Sequence, residues 1–238
     1  MLIQNYNDDR GGNWKSKDTA LYVITSLSAK AVTLQSGATV TNEYIDVLSV
    51  FGTHVMPELE APMNDSTHPI IKVDAIKYLM VFRGQLSKAQ LLAVFPKLVI
   101  HLQSANYVVY TWAAYCIERI LSMKAAGVSL FSAADMSPFA SHILTSLFGL
   151  IEKGSTPEKL AENDYLMKCV MRVVVATRQD LLPHVQLVLQ HITTIITAIS
   201  KNPSNPKFNH YAFETLASLV RYFSLRQICL CCSACVGL

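Results

Sequence analysis

Charged side chains are scarce in this sequence. They make up 16% of the 238 residues, whereas hydrophobic residues make up 51%. Glycine and proline are also few, nine of each, and they form no low-complexity linker. A chain this apolar must therefore bury a large share of each of its elements in a packed core.

Long uninterrupted apolar runs are missing as well. The most apolar segment, 185–199, places its polar residues on one face at helical spacing. Because a membrane-spanning helix needs about 20 mostly apolar residues, we interpret 185–199 as an amphipathic helix and expect no membrane insertion. The expected buried stripe consists of Val185, Val188, Leu189, Ile192, Ile195, Ile196 and Ile199. The N-terminus also lacks the basic flank and apolar centre of a signal peptide, so an intracellular protein is expected.

The sequence also lacks the motifs of common enzymes. It contains no glycine-rich phosphate loop and no serine in a nucleophile-elbow context. Asp180, His184 and His191 could share one helix face, as a metal or acid–base site or simply as surface and cap residues. We expect no catalytic residue, no cofactor and no metal, and therefore a protein that is not an enzyme.

Cysteines are few outside the C-terminus. Cys116 and Cys169 lie on apolar helix faces and are expected to be reduced core residues. Four more crowd into 229–235, but no second pair of Cys or His residues complements them as a zinc site requires. We therefore expect 224–238 to be a divergent, cysteine-rich tail.

Positive charge is concentrated at one end of the sequence. Residues 165–238 have a net charge of +5, whereas residues 1–164 have −2. This basic part either faces an acidic partner or is the solvated outside of helices. Its charges are spaced out and not clustered with aromatic residues, so nucleic acid is not an expected partner.

Prolines recur at a nearly constant distance. Pro57, Pro96, Pro138 and Pro183 are 39, 42 and 45 residues apart, which is close to the ~40–47-residue repeat of HEAT and armadillo proteins. A proline fits the first turn of a helix and bends a helix further in. We expect Pro138 and Pro183 to begin second helices, and Pro57 and Pro96 to bend theirs.

Amphipathic segments come in pairs that begin near 17, 68, 106, 163 and 208. The predicted fold is therefore all-α, with more than about 60% helix, well above the usual share. Its architecture is a HEAT-repeat solenoid of about five antiparallel helix pairs, the last incomplete. Residues 1–16 are expected to form an irregular lead, and 17–223 a continuous repeat array.

Several stretches resemble one known family, the importin-alpha re-exporters (also called the cellular apoptosis susceptibility or exportin-two family) of the karyopherin-beta superfamily. The similar stretches are NWKSKDTALYVITSLSAKA, KVDAIKYLMVFRGQL, YVVYTWAAYCIERIL, LFSAADMSPFASHILTSLF and ISKNPSNPKFNHYAFE. They are ordered as in the family and run from about residue 13 to residue 216. After about residue 217 the chain departs from the family pattern.

The resemblance implies a central fragment of a nuclear transport receptor. Such receptors bind importin-alpha together with Ran-GTP, shuttle through nuclear pores between nucleus and cytoplasm, and act by protein–protein binding alone. Residues 1–104 would end the family's central domain, and 105–223 would start its C-terminal domain. The family's N-terminal and C-terminal arches are missing, so this short form is expected to be partial or inactive. The alternative is a HEAT-repeat scaffold that assembles partners independently of Ran.

Two sets of residues are candidates for partner binding. The first is a ridge along the second helices, predicted by counting from the prolines: Gln103, Thr145, Gln186 and Gln190. The second is the connection 200–214, which two prolines stiffen and where Lys201, Lys207, Asn209 and His210 offer charge and hydrogen-bonding groups. For both sets the alternative is an ordinary solvated surface or turn.

Overall fold

The structure, a computed structural model, describes residues 1–62 and 67–223. The chain forms two compact units, unit 1 (Met1–Leu130) and unit 2 (Phe131–Leu238), and each is described by itself. The predicted cysteine-rich tail, 224–238, lies outside the described residues.

Unit 1 is built from helices with two short hairpins between them. Its helices are α1 (Leu2–Asp8), α2 (Trp14–Ser28), α3 (Val47–Val50), α4 (Met56–Glu60), α5 (Pro69–Phe82), α6 (Lys88–Leu102) and α7 (Tyr107–Leu121). Its strands are β1 (Ala29–Thr33), β2 (Gly37–Thr41), β3 (Lys124–Ala125) and β4 (Val128–Ser129). Helix α5 lies at the centre, in contact with α2, α4 and α7. Its residues Ile71, Ile76 and Leu79 are fully buried.

Unit 2 contains the remaining helices. They are α8 (Ala133–Ile151), α9 (Pro157–Leu160), α10 (Asp164–Thr177), α11 (Val185–Ile199) and α12 (Pro206–Tyr222). A 3-10 segment, Arg178–His184, joins α10 to α11. Helix α10 packs against both α8 and α12, and its apolar face (Met167, Val170, Val174) is buried between them.

The all-α fold class is confirmed. Helices account for 73% of the described residues, above the expected 60%. The first helices of the pairs begin at Trp14, Pro69, Tyr107, Asp164 and Pro206, each within three residues of the predicted start. Side-chain caps explain several of these starts, since Asn106 and Asn205 each accept two backbone N–H groups of the following turn.

Residues 1–16 are not irregular as the sequence predicted. Helix α1 lies within them, and α2 begins at Trp14. The segment has few strong helix formers, but α1 is held by tertiary contacts, because Tyr6 is fully buried and its hydroxyl donates to the Glu58 carboxylate. Tertiary packing therefore stabilises α1, which the helix propensity of its residues does not favour.

The repeating prolines occupy different places in their helices. Pro138 is the sixth residue of α8, which begins at Ala133 behind a Ser132 capping box, so the prediction that Pro138 begins the helix is wrong. Pro96 is the ninth residue of α6, and Pro183 lies in the 3-10 segment just before α11. Pro57 follows a π-helical turn, Phe51–Val55, which places a wider turn where the proline has no N–H to donate.

By length and composition, Asp164–Ile199 would be long and apolar enough to cross a membrane. In the structure this stretch is not one helix, because the 3-10 segment, where Arg178 has a positive φ of 50°, separates α10 from α11. The two helices have 14 and 15 residues, fewer than the about 20 of a membrane-spanning helix. This geometry favours the prediction of no membrane insertion.

Candidate interaction surface

Helix α11 separates an apolar face from a polar one. Five residues of the predicted stripe are buried: Val185, Val188, Ile192, Ile195 and Ile199. The other two, Leu189 and Ile196, are half-buried at its edges, while Gln190 is exposed and Gln186 half-buried. The polar face is hydrogen-bonded to its own backbone, since the Thr193 and Thr194 hydroxyls donate to carbonyls one turn earlier.

The connection between α11 and α12 is fastened to α9. The Asn202 side-chain amide donates to the Glu158 carboxylate, and the Asn205 amide donates to the Ala161 carbonyl at 2.9 Å. Hydrogen bonds to the Glu158 carboxylate, first from Thr156 and also from Asn202, lower the pKa of that exposed group. Together with Pro203 these contacts hold the connection in one path, so its exposed side chains start from a fixed backbone.

Four candidate residues lie on this connection and the first turn of α12. Lys201 and Lys207 are exposed on either side of the Asn205 cap. His210 is also exposed, with its ring 5.4 Å from the ring of Tyr211. Asn209 is half-buried, and its side-chain oxygen is buried without a hydrogen-bond partner. The structure therefore brings two cations and a histidine to one helix start.

The predicted ridge does not occupy equivalent helix positions. Gln103 is exposed at the C-cap of α6, one residue past the end of the helix. Thr145 is exposed in the middle of α8, and Gln190 is the sixth residue of α11. Counting from the prolines does not identify equivalent positions, because each proline lies at a different distance from the start of its helix. That these residues share one surface stays a prediction.

His191 belongs to a contact between α11 and α8. Its Nδ1 lies 2.6 Å from Glu152 Oε1, and its ring stacks on Phe148 with centroids 4.6 Å apart. Among the described residues there is no group of three or more His, Cys, Asp or Glu side chains able to hold a metal ion. His191 therefore has a structural partner outside the face it would share with Asp180 and His184.

Unit 1 contains a group of polar residues that the sequence patterns do not indicate. Asp18, Asp74 and Trp112 line one cavity, although they come from three different helices. The only local signal is the spacing of Asp74 and Lys77 on one face of α5, which alone is typical of a solvated helix. No pattern in a single sequence indicates that Asp18 lies opposite Asp74.

Comparison with protein families gives two adjoining matches. Residues 1–117 match the family described as Cse1, and residues 118–233 match the family described as CAS/CSE protein, C-terminus. Together the matches extend past residue 217, where the resemblance was expected to end.

Individual relatives are similar over nearly the whole chain. The Importin-alpha re-exporter of Schizosaccharomyces pombe is 38% identical over 222 residues, which are 93% of this chain and 23% of that protein. Exportin-2 of Oreochromis niloticus is 40% identical and Exportin-2 of Homo sapiens 38%, each over 92% of this chain and 22% of the relative. The chain thus spans less than a quarter of the length of the relatives it matches.

A solved structure has a similar fold over nearly the whole chain. The exportin Cse1 in its cargo-free, cytoplasmic state superposes with a TM-score of 0.83 and 37% identity, over 97% of this chain and 24% of that one. This likeness confirms the predicted HEAT-repeat solenoid class. With two adjoining family matches and relatives at 38–40% identity, the chain belongs to the Cse1 (CAS/CSE) family.

Proposed function

We propose that this chain is a repeat segment of a nuclear transport receptor that carries importin-alpha from the nucleus to the cytoplasm in complex with Ran-GTP. The observation that carries the proposal is the 38–40% identity, over 92–93% of the chain, to proteins named Importin-alpha re-exporter and Exportin-2. The segment acts by protein–protein binding alone, and the receptor containing it shuttles between the two compartments.

The contact within unit 2 is assigned to the start of α12 and the connection before it. Lys201 and Lys207 are exposed there on a backbone that Asn202 and Asn205 hold in place. Fixed, exposed cations attract an acidic partner surface during encounter and lose little entropy on binding. Gln190, which is exposed on the polar face of α11, is a second proposed contact.

The experiment is a graft into a full-length receptor. In the Schizosaccharomyces pombe relative, the matching segment is replaced by this chain, and the purified chimera is tested for capture of importin-alpha with Ran-GTP, with Ran-GDP and with neither. We expect capture that requires Ran-GTP, as with the unmodified relative. A receptor from which the segment has been deleted is the negative control.

Two results would contradict the proposal. One is a chimera that captures no more importin-alpha than the deletion control. The other is capture that is equal with Ran-GTP and Ran-GDP, which would favour a Ran-independent scaffold.

The assigned surface is tested by charge reversal in the same chimera. Lys201→Glu with Lys207→Glu should slow association, and the slowing should disappear at high salt, because exposed charges steer encounter and are screened. Lys153→Glu with Arg221→Glu is the matched control, since both of these cations are exposed in unit 2, one just after α8 and the other in the last turn of α12. Equal association rates for the two double variants at low salt would remove the surface from the contact.

A further inference from the structure

Unit 1 contains a cavity of about 280 Å³ between α2, α5 and α7. Its lining residues are Asp18, Leu21, Tyr22, Thr25, Asp74, Lys77, Tyr78, Met80, Val81 and Trp112. The cavity is open to solvent at its rim, because Tyr22 is 72% exposed and the Lys77 side chain 41%. Its volume is just below the range of sites for whole small molecules, and it suits one long side chain.

The charges inside the cavity do not balance. Of the described residues that line it, Asp18 and Asp74 are acidic and Lys77 is a cation. The Lys77 Nζ lies 3.8 Å from Asp74 Oδ1, while Asp74 Oδ2 is buried without a hydrogen-bond partner. A buried carboxylate oxygen without a donor is costly. The cavity thus offers one more acceptor and one more negative charge than its own residues satisfy.

Protonation partly relieves this imbalance in the empty cavity. Burial, followed by a hydrogen bond with the Asp18 carboxyl and by its negative charge, raises the pKa of Asp74 to about 7 against the opposing effect of Lys77. Near neutral pH the carboxyl of Asp74 is therefore ready to ionise when a second cation arrives. Tyr22 and Tyr78 are the other titratable groups of the lining, and the Tyr78 hydroxyl already donates to the Val47 carbonyl at 3.0 Å.

An aromatic wall completes the cavity. Trp112 lines it from α7, with the Lys77 Nζ 5.1 Å from the ring centroid. The face of an indole ring attracts cations, and it stacks well with the flat guanidinium group. A site with two carboxyls and an aromatic face therefore fits arginine better than the compact ammonium of lysine.

We propose that this cavity binds the side chain of a single arginine presented by a partner protein, with the guanidinium group bound to the neighbouring carboxyls of Asp18 and Asp74 and against the Trp112 ring. The assignment is independent of the export function proposed above, since it rests on the cavity alone. The backbone of the arginine-bearing segment lies outside, where Tyr22 borders the rim.

The test uses the two tryptophans of the full 238-residue chain. The probe is the peptide acetyl-Gly-Arg-Gly-amide, and the readout is the pair of indole N–H signals in an NMR titration. We expect a saturable shift of the Trp112 signal and none of the Trp14 signal, since Trp14 stacks on His68 away from the cavity lining. The same peptide with citrulline, the uncharged equivalent of arginine, should leave both signals in place.

Variants show whether the carboxyls hold the probe. Asp74→Asn and Asp18→Asn should each weaken binding about tenfold, the loss typical of one hydrogen bond to a charged group. Glu214→Gln, at an exposed position on α12, is the control and should bind like the parent. An unchanged Trp14 signal in the variants before titration verifies that unit 1 is folded, because Trp14 lies outside the cavity lining.

Any of four results would overturn the proposal: no shift of the Trp112 signal with the arginine peptide, an equal shift with the citrulline peptide, equal or tighter binding of the corresponding lysine peptide, or parental affinity in both aspartate variants.

Discussion

At the scale of single residues, Glu58 is a buried carboxylate that several side chains bond. It is 2% exposed and accepts from Lys17 Nζ at 2.5 Å, from Arg10 Nη2 at 2.7 Å and from the Tyr6 hydroxyl. Lys17 is buried as well, and burial lowers the pKa of its ammonium group. The cluster links α1 and α2 to α4. The buried positive charge of Lys17 depends on the negative charge of Glu58.

Removing the charge of Glu58 should therefore strongly destabilise unit 1. Glu58→Gln leaves the Lys17 ammonium buried without its partner charge, and we expect the free energy of unfolding to fall by about 3–5 kcal/mol. Urea unfolding followed by tryptophan fluorescence measures this, because Trp14 and Trp112 both lie in unit 1. Adding Lys17→Met should recover part of the loss, since it removes the isolated charge.

A neighbouring ion pair provides the control. Glu60 lies two residues away, half-exposed, with its carboxylate 3.4 Å from Lys97 Nζ. Solvent screens this pair, so Glu60→Gln should cost less than about 1 kcal/mol. Equal losses for the Glu58 and Glu60 variants would show that burial does not strengthen the Glu58 cluster.

The raised pKa of Asp74 predicts a pH dependence of stability. Its folded value, about 7, exceeds the usual 3.8, so the folded chain holds this proton more tightly than the unfolded chain. The resulting stabilisation is complete below about pH 4 and is lost as the pH rises through about 7. Asp74→Asn should therefore become more stable relative to the parent as the pH rises, by up to about 4 kcal/mol. Urea titrations between pH 4.5 and 8 measure the difference, and a constant difference would contradict the assignment.

At the scale of the element, the residues of α11 differ in burial. Ile192 is fully buried, Leu189 half-buried and Gln190 exposed. Ile192→Ala should cost about 2–5 kcal/mol, from lost apolar burial and the cavity left behind. Leu189→Ala should cost less, and Gln190→Ala about 0.5 kcal/mol or less. Unfolding followed by circular dichroism checks the order, and a loss at Gln190 equal to that at Ile192 would contradict the assigned face.

The hairpin of β1 and β2 is docked on the helices through its backbone. The Leu34 carbonyl accepts from both Arg83 Nη2 and Arg119 Nη2 at 2.6 Å, and Gln85 Nε2 donates to the Ala38 carbonyl at 2.8 Å. Gly37 begins β2 with a positive φ of 76°, and a Cβ there would collide with the Val81 carbonyl oxygen. Close approach thus requires glycine at this position.

Gly37→Ala should consequently loosen the hairpin. Gly127 is a matched control, because its φ is 82° but a Cβ there would meet open space. Both substitutions carry the strain of a positive φ, about 1 kcal/mol, and only Gly37→Ala adds the clash. We expect Gly37→Ala to cost at least about 1 kcal/mol more in urea unfolding and to speed amide exchange in β1 and β2. Identical behaviour of the two variants would contradict the close docking.

These elements differ in how well the sequence predicts them. The starts of α5, α7 and α10 follow from apolar periodicity, which is a local signal, and Asn106 also caps α7. The β1–β2 hairpin and α1 were missed because long-range contacts stabilise them: Leu34 meets Arg119 across 85 residues, and Tyr6 meets Glu58 across 52. The predicted connection over 200–214 is shorter in the structure, because α12 begins at Pro206. Its attachment to α9 through Asn202 is likewise invisible in one sequence.

At the scale of the whole molecule, the family assignment and the fold support each other. The resemblance was found from short stretches, and the superposition on the exportin Cse1 structure covers 97% of the chain. In the receptor proposed above, this segment would present surfaces to the partners. The proposed export function requires that binding of importin-alpha and binding of Ran-GTP are energetically coupled.

The most direct test of this account is the coupling between the two partners in the chimeric receptor. The affinity for importin-alpha is measured with and without saturating Ran-GTP, and the affinity for Ran-GTP with and without importin-alpha. We expect each partner to raise the affinity of the receptor for the other by the same factor, about fivefold or more, because coupling is reciprocal. Importin-alpha binding with an affinity that Ran-GTP leaves unchanged would contradict it.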